Sequence, residues 1–576
     1  METLLHDLRY GARMFIKSPT YTVAAVLALA LGIGVNTAIF SVVNAVLLRP
    51  LPYLDSNRLV SVGSGDKQAP PADFGGASPA DFWDWQQQSQ SFEQIVAISG
   101  GGFALTGVEI PETFPGARVS TNFFEATHAR PLMGRTFRPE DGSVKSPDTI
   151  VLSYRLWQQR YGGEATIIGR ELLLNGEKHT VVGVMPARFQ FLGSYIKAWV
   201  PMAFTSRQLA QRGSHYLEVV ARMKQGVTLE QADAEIHSIQ QQIGQDHPDE
   251  AGRISAYVMP LRDQLAGDIR RPLLVLLVAV GFVLLIACAN IANLLLSRAA
   301  GRQREIAVRA ALGASRRRLV RQLVTEGVVL SMAGAILGVL LALQSFAFLK
   351  SLIPDALAVS AGLTLDLKVL GYTLLVSLST AVIFGLAPAL QGAKVDLSEA
   401  LKQSGGRSGL SAGSNRLRSA MVVAEVALAF VLLVGAGLLI QTFVKLRDPY
   451  SGLRPENVLV LRTQLPASKY SDQPHRAEFY RQALERATSL PGVVSAGYVT
   501  TVPLEWKGGT SGFYPEGLTR EQARAGGLSY DANHRQVSAD YLKTMGIALR
   551  QGRYLDDGDN ELSVPVAIVN ETMARE

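Results

Sequence analysis

A chain of 576 residues exceeds a single compact domain, so several units are expected. Its one cysteine, Cys288, excludes any intrachain disulfide, so each folded unit must stand on its own core. The net charge of +7 is modest, but it is unevenly placed. Residues 298–326 hold eight arginines against two acids, residues 392–418 five cations against two acids, and residues 1–20 three against two. The rest of the chain is therefore mildly acidic.

Residues 1–20 set Leu4, Leu5, Leu8, Phe15 and Ile16 among Arg9, Arg13 and Lys17, the pattern of an amphipathic helix lying on the inner membrane surface. No residue from 21 to 48 is charged, which is long enough to span a bilayer core of about 30 Å. A cleaved signal would have a shorter apolar core of about 7–15 residues. The run is read as a first span, with the N-terminus cytoplasmic. Residues 49–266 form an insert large enough for its own mixed α+β core. Ser78-Pro79-Ala80-Asp81 predicts a capped helix start, Thr228 with Gln231 a capping box, and 179–185 and 216–223 strands. Leu229, Ala232, Ile236, Ile239 and Ile243 share one helix face. Phe82, Trp83, Trp85 and Phe92 offer either a stacking surface or ordinary core, and core packing is the expectation.

Residues 272–297, 327–349, 369–391 and 420–444 predict four more spans. The third carries Gly334 and Gly338, a spacing that permits close helix approach without specifying a dimer. Pro388 is expected to kink the fourth. Glu425 in the fifth is read as an interfacial carboxylate rather than a proton relay. No continuous polar pore lining is read in the spans. Residues 404–414 are rich in glycine and serine, as in a flexible linker. A second outer domain occupies 449–576. Five spans put 1–20, 298–326 and 392–418 on one side, and all three are basic, as cytoplasmic loops are. That position argues against nucleic acid as the partner of the arginine run.

An internal repeat runs through the outer domains. Val119, Ser120, Phe123, Phe124, Gly134 and Arg135 match Val537, Ser538, Tyr541, Leu542, Gly552 and Arg553 at a constant offset of 418. Ile150 and Val151 pair with Ile568 and Val569 at the same offset. Residues 479–499 correspond to 82–99 at an offset nearer 400, which places an insertion within 500–536. The chain is expected to be one four-span unit followed by the incomplete start of a second.

Enzyme chemistry is missing. Gly11 to Lys17 and Ser18 only superficially suggest a phosphate-binding loop, because Ile16 replaces the second glycine and no strand precedes it. The eight histidines are scattered, and no HExxH occurs. Residues 556–561 fail the calcium-loop spacing and read, like 138–143, as a surface turn. No catalytic residue, cofactor or metal site is expected.

Residues 305–342, EIAVRAALGASRRRLVRQLVTEGVVLSMAGAILGVLLA, with GLAPAL at 385–390, resemble the MacB/FtsX-like ABC transporter permeases. VSTNFFEATHARPLMGRTF (119–137) and VVGVMP (181–186) are similar to the periplasmic core domain of that family. The layout, with LRYGARMFIKSPTYTVAAVLALALGIGVNTAIF at 8–40, looks like the duplicated acidobacterial permeases. The resemblance implies a bacterial inner-membrane permease and a short coupling helix before the third span. By family position Glu305, Ile306, Arg309, Leu312, Gly313 and Ala314 would form the docking surface for an ATPase. Macrolide exporters of the family carry that ATPase in the same chain. None is readable here, so a separate ABC ATPase subunit is the implied partner. Membrane lipids, met by Arg316, Arg317 and Arg318 at about 1 kcal/mol each, and a periplasmic adaptor or envelope protein complete the expected partners. The implied function is efflux or extraction of an envelope substrate; a non-transporting membrane-anchored regulator or sensor is the alternative.

Overall fold

The computed structural model describes residues 19–51, 53–66, 75–107, 112–146, 148–189, 191, 195–252, 254–301, 316–352, 365–392, 412–447, 456–463, 465, 469–470, 472–503, 510–519, 522, 531–560 and 562–575. They fall into two compact units: Met1–Leu174 with Lys178–Gly437, and Leu438–Glu576 with Asn175–Glu177.

The first unit begins with helix α1 (Pro19–Val43), which closes in a π-helical turn at Asn44–Leu48. The outer domain follows: β1 (Leu59–Asp66), α2 (Pro79–Gln88), β2 (Phe92–Thr106), β3 (Glu112–Val119), α3 (Phe123–Ala126), β4 (Met133–Gly134), β5 (Thr149–Leu152) and α4 (Tyr154–Tyr161). It continues with β6 (Glu171–Leu174), β7 (Glu177–Val184), β8 (Ala198–Pro201), α5 (Ser206–Leu209), β9 (Glu218–Met223), α6 (Leu229–Asp246), α7 (Pro248–Ala251) and β10 (Ile254–Pro260). The strands form one mixed ten-stranded sheet in the order β10-β1-β9-β2-β3-β8-β5-β7-β4, with β6 against β2 and β7. Only β3–β8 and β5–β7 are parallel among the paired strands described.

Alternation along the strands builds cores on both faces of this sheet. Val219 and Ala221 of β9 join one core with Trp85 and Ile236, while Val220 between them joins another with Phe123, Phe124 and Trp199. Ile150 and Leu152 of β5 enter a third core with Leu156 and Trp157, and Val151 faces the opposite way. The helices covering the first face start where their caps put them. The Asp81 amide donates to Ser78 Oγ at 3.0 Å, and Thr228 with Gln231 closes a capping box. Ala232, Ile236, Ile239 and Ile243 are buried as one stripe. Of the four aromatic residues singled out in the sequence, Phe82, Trp85 and Phe92 are core, and Trp83 is exposed.

Four long helices complete the membrane portion: α8 (Leu261–Gly301), α9 (Arg316–Leu352), α10 (Leu367–Gly392) and α11 (Ala412–Arg447). With α1, the stretches Ile269–Leu295, Val324–Leu349 and Arg418–Thr442 are long and apolar enough to cross a bilayer. The predicted second span at 272–297 is only part of α8, which begins eleven residues earlier with no loop after β10.

The second unit contains α12 (Gln473–Thr488), the two-stranded sheet β11 (Thr510–Gly512) with β12 (Asp531–Asn533), α13 (Tyr541–Thr544) and α14 (Glu571–Arg575). At a few matched positions its local hydrogen bonding is the same as that of the first unit. Ser120 exchanges main-chain and side-chain bonds with Ala97, as Ser538 does with Tyr498. Positive φ recurs at His128 and Gly546, and at Gly134 and Gly552.

Candidate coupling site

Glu305, Ile306, Arg309, Leu312, Gly313 and Ala314 lie outside the described residues. What the structure places is the machinery on either side. Helix α8 ends at Gly301, one residue before the undescribed segment, and α9 begins at Arg316, just after it. Arg316, Arg317 and Arg318 fall in the first turn of α9.

The outer end of α8 is anchored in the sheet core. Leu261, its first residue, is buried with Phe123, Phe124 and Trp199, and Leu265 packs beside it. One turn on, Ala266 packs against Val42 and Val46 at the outer end of α1. The exit from α1 is held to the same core by Leu51, by Tyr53 tilted against Phe191 with ring centroids 4.8 Å apart, and by Arg222. That arginine is fully buried at the end of β9. Its Nε donates to Ala126 O at 2.8 Å and its Nη1 to Leu54 O at 3.0 Å, while Nη2 has no hydrogen-bond partner. It is tied to backbone carbonyls, with no carboxylate bonded to it. Burial, then nearby Arg58, lowers its pKa from the ordinary arginine value. Nothing in the sequence marks Arg222, since an arginine in a predicted strand ordinarily faces solvent.

Inside the bundle the glycine spacing of α9 meets α1 of the same chain. A Cβ at Gly338 would stand 2.9 Å from Ala30 O and Gly34 N, and one at Gly334 2.5 Å from Leu29 Cβ. The glycines are thus spent on an intrachain contact. Hydroxyls and amides from separate spans also pair across the bundle. Thr37 and Thr373 share a hydrogen bond of 3.0 Å, and Asn36 Nδ2 donates to Val280 O at 2.9 Å. Ser377 Oγ donates to Ser331 O at 3.3 Å, and Asn44 Nδ2 to Asp366 Oδ2 at 2.8 Å. Thr37 and Asn44 are seven residues apart on α1, as are Asp366 and Thr373 at the start of α10, so antiparallel packing matches both rungs. These bonds act as interhelical glue. By contrast, no residue in the apolar window of α11 is buried, and half-exposed Glu425 has no ion pair among the described residues.

Two charged clusters brace the outer domain. Arg212 bridges Asp81 at 2.7 Å and Asp84 at 2.6 Å, and Ser78 Oγ donates to Asp81 at 2.8 Å. Burial pushes the Asp81 carboxyl up, but His215, Ser78 and Arg212 outweigh it and hold the pKa below the usual value. Arg135 grips Asp141 through both terminal nitrogens, at 2.7 and 3.2 Å. Neither cluster sets a nucleophile beside a base. A cavity of about 650 Å³ near Arg160, Tyr161 and Arg170 is open, and Glu164 and Glu171 sit among its cations. No catalytic constellation is assembled among the described residues.

Comparison with known proteins follows the same division. The model of the MacB-like periplasmic core domain matches residues 22–239, and that of the FtsX-like permease C-terminal region matches 277–397. The pyoverdine export ATP-binding/permease protein PvdT of Pseudomonas syringae pv. tomato is 27% identical over 317 residues, covering 54% of this chain and 46% of that protein. The macrolide export ATP-binding/permease protein MacB of Chromobacterium violaceum is 25% identical over 287 residues, covering 49% and 42% respectively. The chain thus spans about half the length of the curated relatives it matches. Among solved structures, the periplasmic region of MacB from Actinobacillus actinomycetemcomitans aligns with 37% of this chain and 93% of its own, at a TM-score of 0.28 and 11% identity. The extracellular domain of the ABC-type transporter YknZ from Gram-positive bacteria aligns with 35% of this chain and 99% of its own, at 0.26 and 14%.

Proposed function

We infer, because this chain belongs to the MacB/FtsX-like family of ABC transporter permeases, that it is a permease subunit turning ATP hydrolysis on one side of the membrane into motion of its outer domain on the other. The observation that carries this reading is α8. One uninterrupted run of helix joins the buried core of the outer sheet at Leu261 to Gly301, beside the segment that carries the family's docking motif. The ATPase belongs to a separate polypeptide, and Glu305, Ile306, Arg309, Leu312, Gly313 and Ala314 form its socket. Closure of an ATPase dimer pushes on that socket, tilts α8 and α9, and shifts the outer domain to expel or extract an envelope substrate. The N-terminus faces the cytoplasm of a bacterium, and the outer domain faces the periplasm. The repeated hydrogen bonding of residues 537–559 supports the second unit as the start of a second permease copy.

Gly313→Trp tests the socket, because an indole there would hold an ATPase surface off the loop. Co-purification with the candidate ATPase, and stimulation of that ATPase's hydrolysis, should both fall at least tenfold. If both are unchanged while the variant inserts normally, the docking assignment is wrong.

A further inference from the structure

Between the end of α1 and the start of β1 the chain runs through a short connector, residues 49–58, and three unusual local features converge on it. Asp55, not a glycine, holds left-handed backbone at φ 48°. Strand β2 bulges where Phe92 pairs with Met223 but Gln94 pairs with Arg222, which leaves Glu93 as the extra residue. Arg222 is fully buried with no carboxylate bonded to it. Left-handed backbone away from glycine and a buried cation without a counter-charge each cost free energy, and they persist where the surroundings hold them. A bulge re-aims a side chain.

Two arginines reaching in opposite directions tie these features together. Arg222, on β9, donates from Nη1 to Leu54 O at 3.0 Å and Asp55 O at 3.5 Å in the connector, and from Nε to Ala126 O of α3. Arg58, at the end of the connector, donates from Nε to Met223 O of β9 at 2.7 Å. Its Nη2 bonds the bulged Glu93, and its Nη1 lies 3.7 Å from Asp55. Connector and strand thus each grip the other's backbone. An apolar side chain at 222 would fill the space without the cost of a buried charge, so packing alone does not account for the arginine. A planar guanidinium does what an apolar group cannot: it holds β9, α3 and the connector at once in fixed geometry.

The clasp sits where two helices reach one core. Leu51 of the connector and Leu261, the first residue of α8, are buried in the same cluster as Val220 of β9. A body fixed to one rod can swivel about it, whereas a body fixed to two must follow the difference between them. We propose that Arg222, clasped with Arg58, is a positioning residue that makes the exit of α1 a second drive point for the outer sheet, so that relative movement of α1 and α8 turns the sheet as well as shifting it. The proposal rests on the reading of this chain as an ATP-driven permease. The clasp also has room for a step. Nη1 already spans the carbonyls of residues 54 and 55, and Nη2 has no hydrogen-bond partner, so the connector can advance by one carbonyl without releasing the guanidinium.

The test uses the full chain in lipid nanodiscs with the candidate ATPase, carrying Cys288→Ala so that no native thiol remains. Spin labels go on Val144→Cys in the outer domain and Leu367→Cys at the start of α10, positions that are 61% and 85% exposed. In this parent chain the distance between the labels should change when ATP is added. Arg222→Met, close in length but unable to donate, should cut that change about threefold, while co-purification and stimulated hydrolysis stay within about twofold of the parent. Arg222→Lys, which keeps the charge and can still reach a carbonyl, should recover about half of the change. An arginine with a structural role alone would not separate hydrolysis from movement. Arg58→Met, at the partly exposed half of the clasp, should give a smaller loss of the same kind, and it carries the test if Arg222→Met does not fold. The clasp is overturned if movement in the methionine variants equals that of the parent, or falls only in step with hydrolysis. A parent chain that stimulates hydrolysis with no change in distance would instead overturn the permease reading, and the clasp's role with it.

Discussion

Residues 135–141 and 553–559 build the same turn in two different settings. In each, an arginine forks onto an aspartate six residues on and also donates to the carbonyl of the residue after itself. In each, the backbone N–H three residues before the aspartate closes onto its carboxylate. Beyond the turn the settings part. Ile150 is fully buried between β7 and β8, whereas Ile568, its counterpart at the offset of 418, is 39% exposed. The short-range geometry is therefore written within about two dozen residues. Burial is conferred by strands from far along the chain. Two of the spanning helices differ in the same way: a Cβ on Gly34 of α1 would run into the backbone of Gly338 on α9, whereas one on Gly437 of α11 would meet nothing within 4 Å.

That contrast can be broken by substitution. The largest effect is expected at the glycine contact, where backbone atoms cannot yield: Gly338→Leu should destabilise the bundle by about 3 kcal/mol, read as loss of resistance to SDS unfolding. Gly437→Leu should leave that resistance unchanged, and an equal loss would show that α11 is packed after all. Next, Ile150→Ala should cost about 2–5 kcal/mol through the cavity it leaves, measured by denaturant titration, against under 1 kcal/mol for Ile568→Ala. The smallest effect concerns the turns. Burial raises the Asp141 pKa, but bonds from Arg135 and the Arg138 amide lower it further, and the net value lies below the ordinary one. A depressed carboxylate stabilises the fold above its unfolded pKa of about 3.9, and that stability is lost as pH falls through the lowered folded value. Asp141→Asn should cost about 1 kcal/mol at neutral pH after solvent screening and remove this acid-dependent part from proteolytic stability profiles. The Asp559 carboxyl is held down to about 2, chiefly by Arg553, so its turn should keep its pairing until pH approaches that value. Earlier loss would show that the second turn is weaker than its geometry.

What the sequence made legible follows the same line between near and far. Helix caps at Ser78 and Thr228, the apolar stripe of α6 and the long uncharged runs are local signals, and each can be read from neighbouring residues. The sheet order could not be, because the parallel pairing of β3 with β8 joins segments about eighty residues apart. The continuity of α8 was hidden for a different reason: Arg270, Arg271 and Pro272 look like a boundary, yet the helix passes through them because packing at Leu261, Leu265 and Ala266 holds it. The glycine spacing of α9 was visible, but its partner was not. The docking motif rests on family resemblance alone.

Pro272 has a mechanical consequence. It sits eleven residues into the 41-residue helix α8, where its ring removes a backbone hydrogen bond and makes that turn the most compliant point of the rod. Measured from Pro272 at 1.5 Å per residue, α8 has a short outer arm of about 16 Å and a long arm of about 44 Å. With the rod pivoting about that turn, a sideways displacement of about 5 Å at the Gly301 end would reach the outer sheet as roughly 2 Å, with the force multiplied in inverse proportion. Such gearing trades stroke for force.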